Sequence, residues 1–591
     1  MNVAVEGKNI DITAGESILC ALRRAGTDFS NPAEKPVAAM IGGEVFNLNY
    51  TPKRECSIRL LRYGDDEGRR VYERTLQFVL IIAVRKLFPG ARLVTRYSAG
   101  DGLYITVEKA GTGTPLNEAD TDLLRSEMKR ITAAAYPFVR RRLDVRDAIE
   151  FYTKDGQQDK AELLRCRRFS YFDVYSCPDY SDYMDYFYGE MAPSTDYVHV
   201  FELHTLPEAI VMLLPSKDDP AVPAKYENSP KLLAVFAESD RWGRLMHVAN
   251  AVDLNRRVEN GTIRELIRVN EALHEKTYAR VADEIIARRA KAVMLAGPSS
   301  SGKTTSANRI ATQLRADGLD PVMLSLDDYY IDRDRIPRDT NGEMDLEHIN
   351  TLDIPRFNGD LALLLDGCEA EIPLFNFKTG KREKQGKVLK LHRDQPLIIE
   401  GIHALNPLML GSCDPNSVFR IYVSALTTLN LDDHNRIRTT DLRLLRRLVR
   451  DYETRNASME HTLGMWASVR RGEARWIFPY QENADRILNT TLHYEVAVLK
   501  RFVYPLLEAV PPDSVHYCAA RSIVKFLNYF AEAEVDDEIP DHRDKGGCKN
   551  KINGIHLVAV GIFGRRVHDV RKADGESQVD IPQNLLGDHA R

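Results

Sequence analysis

Gly297-Pro298-Ser299-Ser300-Ser301-Gly302-Lys303-Thr304 sets two glycines, three serines, a lysine and a threonine in the spacing G-x-x-x-x-G-K-[ST]. Gly297 and Gly302 lack a Cβ, so the backbone can turn sharply and bring its amides against phosphate oxygens. Lys303 is expected to reach the β- and γ-phosphates of ATP, and the Thr304 hydroxyl to hold Mg²⁺. Gly297, Ser299, Ser300, Ser301, Gly302, Lys303, Thr304 and Thr305 are thus the expected ATP contacts. Downstream, Asp327-Asp328 and Glu400 each close an apolar run, and carboxylates at the end of a parallel strand lie beside the ligand crevice. One of the two aspartates could accept the proton of an attacking hydroxyl. Neighbours on a strand point opposite ways, so only one is expected to face the γ-phosphate. Glu400 is placed like a carboxylate on the Mg²⁺ side or the substrate side.

These residues need a scaffold, and the flanking patterns supply one. Ala292–Ala296 reads as a buried parallel strand and Ala307–Leu314 as a helix, so the loop aims a helix N-terminus at its anion. Pro321–Leu326, Leu397–Ile402 and Phe419–Val423 read as further strands. Thr262–Ala287 is a strong helix that braces the loop strand against the front half, with Ile263, Leu266, Ile267, Asn270 and Leu273 along one stripe. Arg436, Arg438, Arg443, Arg446, Arg447, Arg450 and Arg455 follow on a helical run. Any one of them is ordinarily solvated charge. As a cluster behind a phosphate loop they predict a lid, which Arg470, Arg471 and Arg475 could extend.

The 591 residues are too many for one core, and several domains are expected. Lys plus Arg number 81 against 86 Asp plus Glu, a net charge of −5 that does not suggest a chain coated by nucleic acid or membrane. The front half could still meet nucleic acid, and a homo-oligomer is possible. The eight cysteines show no metal-like spacing, which suits reduced thiols in the cytoplasm. No secretory segment is read, and no apolar run approaches the ~20 residues of a membrane span; the longest, Phe78–Val84, reads as buried helix.

In the front half, Asn2–Val5 and Asn9–Ile12 predict a hairpin, Ser17–Arg24 a helix, and Val37–Ile41, Glu44–Leu48 and Ser57–Arg62 strands. This order resembles the β-grasp TGS module at the front of threonyl-tRNA synthetases. A helix over Tyr72–Phe88, a hairpin over Ala91–Val107 and a helix over Asn117–Ala135 follow. They resemble the editing domain of the same synthetases. That family sets H-x-x-x-H on a helix and adds a Cys and a His later. Here Arg74, Phe78, Phe187 and Met191 stand at those positions, so the resemblance implies the shape without the metal chemistry. Six tyrosines between Tyr171 and Tyr188 alternate with aspartates; the acids would repel a phosphate backbone, so a Tyr-rich surface or interface is expected. His199 and His204 flank an expected strand, Val198–Leu203, on opposite faces. The segment 215–230 reads as loop and Leu232–Glu238 as strand. Ser522–Phe530 reads as a last helix, and the tail carries one strand-like run, Ile555–Ile562.

In the second half, GPSSSGKTT, SLDDYY, LEHINTLD, IPLFNF, IIEGI and RLLRRLVRDYETR stand in the order of the uridine kinase and phosphoribulokinase superfamily, over about Ala292 to Lys500. With the front half, the chain resembles bacterial uridine kinase-related proteins that carry a TGS module. The resemblance implies Asp327 as base, Glu347 as a ribose-binding acid, Phe375 near the nucleoside and Arg447, Arg450 and Arg455 in a lid. Lys303, Asp327, Arg450 and Arg455 are then the expected catalytic residues, Asp328, Tyr330, Glu347, Phe375 and Arg447 the expected substrate contacts, and Thr304 and Glu400 the Mg²⁺ ligands. Two departures stand out. Uridine kinases carry a pyrimidine-selecting His just after the IP-x-Y segment, where this chain has Gly380, and Ala457 replaces a further lid Arg.

The expected architecture is multidomain α+β and α/β. A β-grasp module spans 1–62, an editing-like α+β domain 63–240, a linking helix region 241–290, a P-loop α/β kinase domain with a parallel sheet 291–530, and a poorly specified tail 531–591. The function implied is ATP- and Mg²⁺-dependent phosphorylation of a small-molecule hydroxyl, with the 5′-hydroxyl of a nucleoside favoured. A kinase for a sugar phosphate or a pantothenate-like alcohol stays open, as does a non-catalytic ATP-binding regulator whose front half senses tRNA or a nucleotide.

Overall fold

The computed structural model describes residues 2–539 apart from 14, 167–169, 188, 339–341, 343, 378, 412 and 536. Tyr188 and the expected run Ile555–Ile562 lie outside the described residues. In the first unit, β1 (Asn2–Val5) and β2 (Lys8–Asp11) pair through Glu6 and Gly7, at φ 49° and 82°. Two successive positive φ values match the twist of a two-residue hairpin. Helix α1 (Ile18–Arg24) starts where the Ser17 side chain accepts the Cys20 N–H. Strands β3 (Ala38–Ile41), β4 (Glu44–Phe46) and β5 (Ser57–Leu61) complete a sheet of order β2-β1-β5-β3-β4.

Helix α2 (Asp66–Leu87) begins before the expected Tyr72, because Asp66 and Glu67 favour its N-terminal end. Every residue from Thr75 to Val84 is buried. Strands β6 (Arg92–Ala99) and β7 (Gly102–Glu108) form the expected hairpin, and α3 (Glu118–Ala133) starts in a capping box of Asn117 and Asp120. Sequence reading missed β8 (Val139–Asp144), α4 (Val145–Lys154) and α5 (Gln158–Arg165). Strand β8 joins β9 (Tyr171–Cys177) and β10 (Ser181–Asp185) in a sheet of order β10-β9-β8. Of the surface or interface expected, the Tyr-rich stretch is mainly an interface: Tyr175, Tyr183 and Tyr186 are buried, Tyr186 against Asp432, while Tyr171 is exposed. Strands β11 (Glu202–Thr205) and β12 (Ile210–Leu213) extend the hairpin to a sheet of order β11-β12-β7-β6. The expected strand Val198–Leu203 forms only from Glu202 on, as the start of β11. The Tyr72 hydroxyl donates to the Val200 carbonyl at 2.8 Å and accepts the Val200 N–H at 3.1 Å, taking both groups a ladder would need.

Helix α6 (Pro230–Leu245) replaces the strand expected over Leu232–Glu238. Leu232, Phe236, Ser239 and Gly243 are buried at helical spacing, and Pro230 fits the first turn. Helices α7 (Ala251–Glu259) and α8 (Ile263–Arg288) lead into β13 (Ala292–Ala296), buried at every residue. The elements that follow are α9 (Lys303–Ala316), β14 (Val322–Ser325), α10 (Ile354–Leu365), β15 (Glu369–Ile372), β16 (Phe375–Asn376), β17 (Lys381–Arg382), β18 (Lys387–Lys390), β19 (Leu397–Glu400) and β20 (Val418–Ser424). Then come α11 (Thr439–Arg455), α12 (Met459–Trp476), β21 (Arg486–Asn489), α13 (Glu495–Glu508) and α14 (Tyr517–Leu527). The last helix starts and ends before the Ser522–Phe530 expected. Strands β14-β19-β13-β20-β21 form a parallel sheet, in which Ser325, Glu400, Leu295 and Ile421 share one row at the carboxyl ends. That row brings the residues just beyond it, Gly297 and Asp327, to one edge. Among the described residues no helix is long and apolar enough to cross a membrane.

The run Asn430–Arg438, just before α11, is gripped by the front half. Thr95 donates its N–H to the Asp433 carbonyl at 2.8 Å, and Asn430 donates to the Thr95 carbonyl at 2.7 Å. The Tyr186 hydroxyl donates to Asp432 at 2.6 Å. Lys160, His434 and Tyr183 converge on Asp185. Burial works against the Asp185 carboxylate, yet Lys160 and His434 hold its pKa well below the usual range. Arg436 and Arg438 both pair with Glu73 of α2, at 3.1 and 3.3 Å. These two arginines thus tie the halves together and do not belong to a phosphate lid.

Candidate active site

The loop after β13 has the shape its residues require. A Cβ on Gly297 would lie 2.0 Å from the Val423 carbonyl oxygen, so only glycine lets the chain pass β20. Ser300 and Gly302 take φ 58° and 88°, which turns the chain into the N-terminus of α9 at Lys303. Thr304 and Thr305 occupy that first turn, whose amides and dipole suit an anion. The Ser300 and Ser301 hydroxyls are buried with no partner among the described residues. A loop with unmatched donors around a helix N-terminus fits a polyphosphate.

Lys303 donates to the Pro298 carbonyl at 3.1 Å. Burial lowers its pKa, and Glu400, Asp327 and Glu347, all within electrostatic reach, oppose that shift. Glu400 is 8% exposed at the end of β19 and accepts from the Ser325 hydroxyl at 3.1 Å. Asp327 and Asp328 are not alternating strand residues, as expected from sequence. Strand β14 stops at Ser325, whose hydroxyl accepts the Asp327 N–H and caps a 3₁₀ turn over Leu326–Tyr329. Asp327 is within electrostatic reach of Lys303 and Tyr330, and Asp328 of buried Tyr329.

Glu347 is also within electrostatic reach of Lys303, and its Oε2 is shielded and unpartnered among the described residues. Burial, then the Glu473 charge, pushes its pKa up to about 7, against the pull of Arg447, Lys303 and Arg443. A carboxyl raised from 4.5 to about 7 leaves the folded state with more bound protons in that window, so stability falls as pH rises through it. Glu347→Gln is therefore expected to raise Tm at pH 8, with a gain that shrinks toward pH 5. Thermal scans of the full chain at both pH values test this; an equal change at both would contradict it.

Beyond the 3₁₀ turn, the Tyr330 ring lies 5.7 Å from Phe375 and 5.9 Å from Phe377. Arg382 fixes this corner by donating to the Tyr329 and Tyr330 carbonyls and pairing with Asp353 at 2.9 Å. Phe377 and Arg382 were not anticipated.

The arginines of α11 depart most from the solvated charge any one of them would ordinarily be. Arg443, Arg446 and Arg447 are buried. Arg443 donates to the Ser299 carbonyl at 3.0 Å and pairs with Glu473, which accepts the Ser299 N–H at 3.2 Å. Arg447 donates to the Ser299 hydroxyl at 2.9 Å. Arg446 instead pairs with Glu495 and Thr490, and Thr490 donates to the Ser301 carbonyl, so this arginine braces the loop from below. Arg450 and Arg455 both reach Asp451, at 2.7 and 3.2 Å. Burial, and then Arg455, pulls the Arg450 pKa down to about 10, and Arg450 is within electrostatic reach of Lys303. Arg471 and Arg475 are exposed. Sequence reading missed Glu473, since one acid on a helix carries no signal. It also missed His403, which is 1% exposed beyond Glu400; a histidine inside the apolar run IIEGIHAL was the available sign.

In the front half, Phe78, Phe187 and Met191 are buried together, with the two rings 6.1 Å apart. Arg74 donates to the Glu190 carbonyl at 3.1 Å and lies so close to Gly189 that a Cβ there would meet its Nη1 at 2.6 Å. A guanidinium and three apolar side chains fill this place, and none of them is a zinc ligand. Elemental analysis of the purified chain is expected to find no stoichiometric zinc in residues 63–240; zinc located there would overturn this account.

A phosphate loop at the carboxyl end of the central strand of a parallel sheet, with acids at the ends of β19 and β14, defines a P-loop α/β nucleotide-binding domain. Residues 292–497 match the Phosphoribulokinase / Uridine kinase family. The N-terminal region matches threonine–tRNA ligases. That of Symbiobacterium thermophilum is 28% identical over 171 residues, 29% of this chain and 26% of its own. That of Desulforamulus reducens is 31% identical over 163 residues, 28% of this chain and 25% of its own. The chain thus spans about a quarter of the length of these curated relatives. The solved structure of a possible uridine kinase from Bacillus stearothermophilus is 21% identical, covers 22% of this chain and 70% of its own, and has a TM-score of 0.20.

Proposed function

We propose that this chain transfers the γ-phosphoryl group of ATP to a hydroxyl of a small molecule, the 5′-hydroxyl of a nucleoside in particular. The observation that carries the reading is Lys303 at the start of α9, behind a loop whose buried Ser300 and Ser301 hydroxyls are unmatched among the described residues. Thr304 and Glu400 would hold Mg²⁺, which supplies charge neutralisation across the phosphates. The loop amides and the Ser300 and Ser301 hydroxyls bind phosphate oxygens. Lys303 and Arg450 stabilise the charge that spreads over the transferring group, with Arg447 and Arg455 at its margin. The acceptor oxygen bonds to the γ-phosphorus, the bond to the bridging oxygen breaks, ADP leaves, and Asp327 takes the acceptor's proton. Glu347 can accept hydrogen bonds from the acceptor's other hydroxyls, and the rings of Tyr330 and Phe375 suit a planar base. Helices α11 and α12 exclude water from the loop. Most of the rate enhancement comes from positioning and electrostatics.

The test is ADP release from the purified chain with nucleosides, sugar phosphates and pantothenate-like alcohols. Transfer to a nucleoside supports the full reading. Transfer only to another alcohol keeps the kinase and replaces the acceptor. ATP binding without transfer to any of them would make the chain a non-catalytic regulator.

A further inference from the structure

We propose that Arg382 is a positioning residue for the proton-accepting step: it holds the 3₁₀ turn that carries Asp327, and so sets where that carboxylate stands. This rests on the kinase reading above. The turn over Leu326–Tyr329 is four residues long. A helix so short has few internal bonds to hold itself, and no following turn donates to the carbonyls at its end. Side chains fasten it at both ends instead. At the start, the Ser325 hydroxyl accepts the Asp327 N–H at 3.3 Å and donates to Glu400 at 3.1 Å, which ties the base to the neighbouring strand end. At the end, one guanidinium takes two successive carbonyls. Arg382 donates through Nη2 to Tyr329 at 3.0 Å and through Nε to Tyr330 at 2.9 Å. Its third nitrogen, Nη1, pairs with Asp353 at 2.9 Å. Asp353 in turn gives its N–H to the Tyr329 carbonyl at 2.9 Å and caps α10 by accepting the Arg356 N–H. The Arg382 N–H donates to Asp332 at 3.0 Å. The residue thus joins β17, the turn and the start of α10, and none of the partners described for it belongs to the phosphate loop. A guanidinium suits this place because its donors are fixed in one plane, whereas an ammonium is a point charge on a flexible stem. Lysine would keep the charge opposite Asp353 and lose the fork that grips the turn. A misplacement of about 1 Å at a reacting group costs on the order of 100-fold in rate, so a slackened turn should be felt in the chemical step.

The experiment is a double-mutant cycle on the full chain: the parent, Arg382→Lys, Asp327→Asn and the two together. Each receives ATP and Mg²⁺ with uridine, adenosine, ribose 5-phosphate or pantothenate, and the parent's fastest acceptor is then used throughout. Single-turnover transfer, ATP KM and Tm are read. Arg382→Lys alone should slow transfer at least ~10-fold, a part of the ~10²–10⁴ that a general base supplies, with ATP KM within twofold of the parent. Added to Asp327→Asn, it should slow transfer less than twofold further, because a base already removed cannot be misplaced. A merely structural loss would slow both backgrounds alike. Equal slowing in both therefore overturns the proposal, as does a rate within twofold of the parent in Arg382→Lys. If Arg382→Lys does not fold, Arg382→Gln goes through the same cycle with the same expectations. Failure of both to fold would make Arg382 a residue of the fold alone and overturn the proposal. A parent that transfers to none of the four acceptors ends this proposal and the kinase reading together, whereas equal slowing in an active parent ends this proposal and leaves the kinase standing.

Discussion

Lys303→Ala is expected to cut turnover by at least ~100-fold, the scale of losing one key electrostatic donor. Burial lowers the pKa of this ammonium, and the charges of Glu400, Asp327 and Glu347 oppose that shift. Removing it leaves Asp327, Glu347 and Glu400 facing bound phosphates without their nearest cation. The ground state suffers from that repulsion, and the transition state suffers more because charge accumulates on the transferring oxygens. Folding should be little affected, because the one hydrogen bond described for the ammonium is to the Pro298 carbonyl. Steady-state rates beside a thermal scan measure both effects. Near-normal turnover in a folded variant would sink the assignment of the loop.

Asp327→Asn should cost ~10²–10⁴ in rate, the usual worth of a positioned general base, with ATP affinity retained. Asp328→Asn should cost far less. The first acid is within electrostatic reach of Lys303 and the second of Tyr329, a ring already held by Asp360 at 3.1 Å. Single-turnover transfer for both variants, beside ATP affinity, separates the roles. A dead Asp328→Asn with an active Asp327→Asn would mean that the two faces of the turn are exchanged.

The loop itself was legible because its glycines and lysine stand at fixed offsets and the strand before it is uniformly apolar. The front hairpins were legible for the same local reason: Glu6-Gly7 and Ala99–Gly102 mark their own turns. What was not legible depends on partners distant in sequence. Arg443 and Arg446 look like solvated charge until Glu473 and Glu495, 30 and 49 residues on, are brought to them. Tyr186 looks like surface until Asp432 arrives from 246 residues away. The aspartate pair was misread as strand because the Ser325 cap that ends β14 is a side-chain bond, which hydrophobic periodicity does not report. The helix over Leu232 was misread because LLAVF is apolar enough for either period, and only Ser239 and Gly243 beyond it settle the spacing.

The grip on Asn430–Arg438 bears on what can be cut away. A chain severed before α6 would release Arg436 and Arg438 from Glu73, Asp432 from Tyr186, and His434 from Asp185. Each hydrogen bond exchanged for water is worth ~0.5–1.5 kcal/mol net, so several lost together weigh against the ~5–15 kcal/mol that holds a domain folded. The loss would fall on the stalk of α11, the helix that carries Arg443, Arg447 and Arg450 to the phosphate loop. The front half, though it lacks the metal ligands of the editing domain it resembles, is thus a splint for the catalytic half and cannot be discarded as a passenger.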